Sequence, residues 1–206
     1  MGLTPNISGS VTTGSADGDN ALLFALAWGE RLSAELPKAI EASRQFAEAV
    51  RYYDRGDEWG LGDDSLAEGF RAMWTANASV VWTASQVERW LVRLAREAGD
   101  PEPDPVPDLK SLRDALEHLD EAVFDDNDYA HADRSDPRKK TVTRALHRLG
   151  PLAIASCSPD GPLFNLVDTD RLRSLGSQLS NRLSSMLDEL AEDYAVQEAI
   201  DRMSGK

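Results

Sequence analysis

Four residues within six positions carry the side chains of an acid–base or anion-handling site: Arg113, Asp114, Glu117 and His118. An arginine holds anions through a planar, bidentate fork, and a histidine exchanges protons near neutral pH. A carboxylate beside an imidazole can fix its tautomer and raise its basicity. Asp114 and His118 stand at i and i+4, as do Arg113 and Glu117, so on one helix each pair shares a face. Leu109, Leu112, Leu116, Leu119 and Val123 recur at helical spacing and fall within an arc of about 80°, the expected core stripe. Arg113 then lies about 90° from the centre of that stripe and His118 about 135°, so the polar set is expected to face outward. The same residues also read as an ordinary solvated helix face.

The elements that must position this set are helical. Residues 1–18 are rich in Gly, Ser and Thr and carry almost no large apolar residue, which predicts a mobile tail, with one domain over 19–206. Asp19 or Asn20 is the expected cap of a first helix through "ALLFALAWGERLSAEL" and "AIEASRQFAEAVRYY". Pro37 between these halves is expected to kink it or to start a second helix. "DRGDEWGLGDDS" reads as a loop, and Ser65 with Glu68 as the capping box of the next helix, which Gly99 stops. Trp74, Trp82 and Trp90 recur every eight residues and drift about 80° per step, covering a broad apolar face. "DPEPDPVPD" cannot be helical, "FDDNDYAHADRSDPRKK" reads as a polar loop, and "TVTRALHRLG" as a short helix ended by Gly150. "LAIASC" and "PLFNLVD" around "SPDG" predict a β-hairpin over 152–167. From Thr169 the 3.6-residue period returns in a long amphipathic helix. The expected fold is mainly α, an up-down bundle of four to five long helices with a small β-hairpin insertion.

With 36 Asp and Glu against 22 Lys and Arg, the formal charge is -14, which disfavours nonspecific binding to nucleic acid. The imbalance is local. Thirteen carboxylates between Asp100 and Asp136 face only Lys110, Arg113 and Arg134, whereas Arg138, Lys139, Lys140, Arg144 and Arg148 form a run with His147 and no carboxylate. Either the two stretches pair or face water, or the basic run, His147 included, is a set of phosphate contacts. No stretch has the length of a membrane span, and one cysteine, Cys157, allows no internal disulfide, so a reducing cytoplasm is expected. Cys157 reads as a buried small residue and His131 as a loop residue without an obvious partner. The three histidines lack a diagnostic metal spacing, and no metal or cofactor is expected.

Arg113-Asp114-x3-His118, preceded by long helices, resembles the Arg-x4-6-His motif of the HEPN superfamily of all-helical domains, over about residues 20–130 and the last helix. The resemblance implies a symmetric dimer whose two motifs meet in one cleft. It implies a metal-independent endoribonuclease, a toxin or defence effector, in which His118 is the general acid or base, Arg113 holds the scissile phosphate and Asp114 orients His118 or a neighbour. Asp114 stands where the family commonly has asparagine, and so brings an anion toward the phosphate. The competing expectation is a non-catalytic helical module that dimerises or binds a protein partner such as an antitoxin.

Overall fold

The computed structural model describes residues 13–55, 63–126, 129–132, 144–154 and 161–203. Among these the order is α1 (Ala16–Asp54), α2 (Asp63–Ala98), α3 (Leu109–Glu117), a single 3-10 turn (Leu119–Glu121), β1 (Val123–Phe124), β2 (Tyr129–His131), α4 (Arg144–Leu149), β3 (Leu152–Ala153) and α5 (Thr169–Met203). The mainly-α expectation holds, but only three of the helices are long, and the one that carries Arg113 has nine residues. No helix among the described residues is long and apolar enough to cross a membrane.

The first helix begins earlier than expected. Ser15, in extended conformation, is the N-cap, and its hydroxyl accepts the Gly18 N–H at 2.9 Å. Asp19 instead accepts from the Thr13 N–H at 2.7 Å and from its hydroxyl at 3.0 Å. A Cβ on Gly18 would lie 2.1 Å from Thr13 Oγ1, so glycine is what lets the chain fold back over the first turn. Pro37 does not start a new helix: α1 runs through it for 39 residues, forgoing one backbone hydrogen bond.

The helices α1 and α2 form an extensively packed pair, joined through Ala25, Leu32, Leu36 and Ala39 with Val80, Ala84, Val87 and Leu91. A polar clasp reinforces it. Glu35 on α1 accepts hydroxyl hydrogen bonds from Ser79 at 3.0 Å and Thr83 at 2.8 Å on α2, and pairs with Arg31 at 2.7 Å. Burial pushes the Glu35 carboxyl pKa up. Hydrogen bonds from Thr83, Arg31 and Ser79, with the Arg31 charge, outweigh it and hold the group below the ordinary carboxylate range. The tryptophans do not share one buried face. Trp74 meets Phe164 edge-on, Trp90 stacks on Phe24, and Trp82 between them is 42% exposed. The 80° drift puts Trp74 and Trp90 on either side of Trp82, which points away from both contacts.

Helix α5 runs antiparallel to α1 and packs against both α1 and α2. A Cβ on Gly29 would lie 2.4 Å from Leu179, Gly176 faces Ser33, and Met186 packs against Ala21, Leu22 and Leu94.

The sheet is small, as expected, but its pairing is not that of a 152–167 hairpin. Its order is β1-β2-β3, all antiparallel, and Leu152 and Ala153 pair with Ala130 and Tyr129, residues expected in a loop. Residues 163–167 close on themselves: the Leu163 N–H donates to Val167 O at 2.8 Å and the Val167 N–H to Leu163 O at 3.1 Å. Phe164 and Asn165 take left-handed backbone (φ 50 and 58) in this turn, which turns Phe164 into the core beside Trp74. Burial of Phe164 and Val167 accounts for the tight turn, since an extended partner strand would send alternate residues outward. Residues 155–160, with Cys157, lie outside the described residues.

Candidate functional site

The chain reaches α3 through the Pro-rich linker, whose Val106 N–H donates to Glu88 on α2 at 2.6 Å. Asp108 then takes left-handed backbone (φ 59) and starts the helix without a side-chain cap bond. Leu109, Leu112 and Ala115 are fully buried and anchor α3, whereas Leu116 and Leu119 are half-buried and Val123 is exposed in β1. The expected five-residue stripe therefore stops early, because the helix does.

His118 is where it stops. Its backbone (φ -117, ψ 23) is the C-cap of α3, and the contact of its ring is with Glu121 beyond the helix. The His118 ring lies over the 3-10 turn, with Nδ1 3.5 Å from Glu121 and the side chain 43% exposed. Asp114 pairs with Arg113 instead, and Glu117 lies 3.7 Å from Arg113 Nε. The Arg113 side chain is only 13% exposed, and its Nε is buried without a hydrogen-bond partner. Its boundary position beside the core stripe explains this: the aliphatic stem is covered while the guanidinium is neutralised by its own helix. A cation held by two carboxylates presents little net attraction to a phosphate unless they are displaced. The structure brings Arg113, Asp114 and Glu117 together and leaves His118 with a different carboxylate.

Of the basic run, His147 and Arg148 are exposed on α4. The Arg144 side chain and the whole of Arg138, Lys139 and Lys140 lie outside the described residues.

One imidazole–carboxylate pair was not anticipated. His131 on β2 has Nε2 2.7 Å from Asp125 Oδ2, both side chains a little over one-third exposed. Asp125 also accepts the Tyr129 N–H at 3.0 Å and donates its own N–H to Tyr129 O at 3.0 Å. It thereby organises the turn between β1 and β2, and the His131 contact follows from strand pairing, Val123 being opposite His131. The readable signal was an Asp-Asp-Asn-Asp turn flanked by short β-forming runs. Three surface grooves of about 710, 690 and 400 Å³ are lined by residues of α1, α2 and α5, and none of them by Arg113, Asp114 or His118.

Site and fold together define a mainly α-helical protein with a small antiparallel sheet. Comparisons with models of protein families, with curated proteins and with solved structures gave no match to this chain.

Proposed function

We propose that this chain is a non-catalytic helical module of the cytoplasm that acts by holding another protein. The observation that carries the reading is the state of Arg113, mostly covered and paired with Asp114 and Glu117 on its own helix. An arginine arranged in this way supports α3, and phosphate binding would require giving up those pairs. Exposed large apolar side chains supply the other half of the reading. Phe24 and Trp82 on the helical pair, and Val123, Phe124 and Tyr129 on the sheet, are each 39% exposed or more.

A second reading keeps the ribonuclease expectation: a homodimer in which RNA phosphate displaces Asp114 and Glu117 from Arg113 while His118 transfers the proton. It is favoured by Arg113 Nε, a buried donor with no hydrogen bond of its own. The test is cleavage of single-stranded RNA in excess EDTA. The proposal expects no cleavage attributable to the chain. The second reading expects cleavage lost in both Arg113→Ala and His118→Ala, and preserved or increased in Asp114→Asn.

A further inference from the structure

The helical pair carries a groove whose lining, among the described residues, includes none from α5. On α2, Trp82, Gln86, Arg89 and Arg93 fall within an arc of about 60°, and on α1 Asp17, Phe24 and Trp28 form a matching stripe. The two stripes flank one open groove, lined by Asp17, Asn20, Gln86, Arg89, Trp90 and Arg93. Phe24 is 40% exposed on top of Trp90, and Trp82 is 42% exposed about two turns further along α2. Arg93 is held by Asp17 at 3.5 Å and Glu97 at 2.7 Å. Arg89 is exposed and has no ion pair among the described residues, in a chain of net charge -14. The groove is polar and locally cationic at Arg89, with the exposed aromatic side chains of Phe24 and Trp82 beside it.

The same chain carries a segment of complementary character. Helix α5 runs antiparallel to α1, with Leu179 against Gly29 and Met186 against Leu22. At the shared rise, the residue level with Ala16, where α1 begins, is about position 192. Residues 193–203 of α5 therefore run on past the first turn of α1 for about 16 Å. From Asp188 to Met203 the sequence has six carboxylates (Asp188, Glu189, Glu192, Asp193, Glu198, Asp201) and one arginine, Arg202. Asp188, Glu192 and Val196 are exposed along one stripe, Val196 to 59%. The groove lies at the same end of the molecule, and from Arg93 to Trp82 it also measures about 16 Å.

We propose that the C-terminal segment of α5, from about Asp188 to Met203, docks into the α1/α2 groove of a second copy of this chain, and the reverse, in a two-fold dimer. A groove between two antiparallel helices accepts a third helix by ridge-into-groove packing. Val196 covers Phe24 and Trp82, and Asp188 and Glu192 meet Arg89. A nucleic-acid strand is the poorer occupant, because it brings no aliphatic side chain such as Val196 to cover the exposed Phe24 and Trp82. The proposal rests on the protein-holding reading above and gives the partner as the chain itself.

The test is the mass of the full-length chain by light scattering from about 1 to 200 µM, at low and high salt. The unmodified chain is expected to dimerise, more weakly in high salt. Arg89→Glu, Trp82→Ser and Val196→Asp should each raise the dimer Kd about tenfold or more. All three positions are exposed, so helix content and melting temperature should stay unchanged and report any variant that misfolds. A monomer throughout the range, or a dimer indifferent to all three variants, overturns this inference and leaves the protein-holding reading to stand on another surface. RNA cleavage by the same preparation, lost in Arg113→Ala, would instead overturn the reading itself.

Discussion

Thr83→Val removes one hydroxyl and little else. Thr83 is fully buried and valine has nearly its shape, so packing is retained while Glu35 loses the 2.8 Å hydrogen bond from Oγ1. A hydrogen bond to a charged group is worth about 1.5–3 kcal/mol. Glu35 keeps Ser79 and Arg31, and its side chain is 22% exposed, so water recovers part of the loss. The expected cost is at the low end, about 1–2 kcal/mol, or a melting temperature lowered by about 2–8 °C for a chain of this size. The pH dependence has a definite sign. The Glu35 pKa is depressed in the folded chain, so its contribution is present above its ordinary value of 4.5 and is lost as pH falls through the lower folded value. The stability gap between parent and variant should therefore be widest at neutral pH and narrow below 4.5. Urea unfolding followed by tryptophan fluorescence at several pH values measures it. Equal stabilities at neutral pH, or a gap that widens on acidification, would refute the clasp between α1 and α2.

Three further outcomes are expected. Gly29→Ala should destabilise by about 1 kcal/mol despite the better helix former, because its Cβ would meet Leu179 at 2.4 Å, and pairing it with Leu179→Ala should cost less than the sum of the two changes in a double-mutant cycle. Arg113→Ala should cost about 1–3 kcal/mol in thermal melts, since it strands Asp114 and Glu117 beside a covered site, whereas His118→Ala should stay within about 0.5 kcal/mol. Ser15→Ala should cost about 1 kcal/mol through the lost cap and raise amide exchange at Gly18, while Asn20→Ala, at a position first read as a cap, should not.

The long helices were legible because a 3.6-residue period sustained over more than thirty residues overrides local noise, even at Pro37. Gly99 and Gly150 marked helix ends correctly, and both hold left-handed backbone there (φ 73 and 76). The first cap was misplaced because Ser15, Asp19 and Asn20 are all good cap residues, and only the fold-back of Thr13 onto Asp19 decides between them. The end of α3 was not legible: no Gly or Pro follows Glu117, and the chain leaves the helix to enter β1, whose partner, β2, lies several residues ahead. Asp114 there pairs with Arg113, and His118 with Glu121 in the 3-10 turn that follows. The strands have two or three residues each, too short for an alternation to be read, and Tyr129–His131 sits among aspartates. Arg113 was read as outward by angle alone, which does not register that a long side chain at the boundary of a buried stripe can be covered along its stem.

The central claim is that Arg113 serves α3 and not a phosphate. It is tested most directly by incubating the purified full-length chain, Arg113→Ala and His118→Ala with a fluorescently labelled single-stranded RNA in excess EDTA and following cleavage. The account predicts that all three leave the RNA intact to the level of a buffer control. Cleavage by the parent chain that disappears in both variants would contradict it.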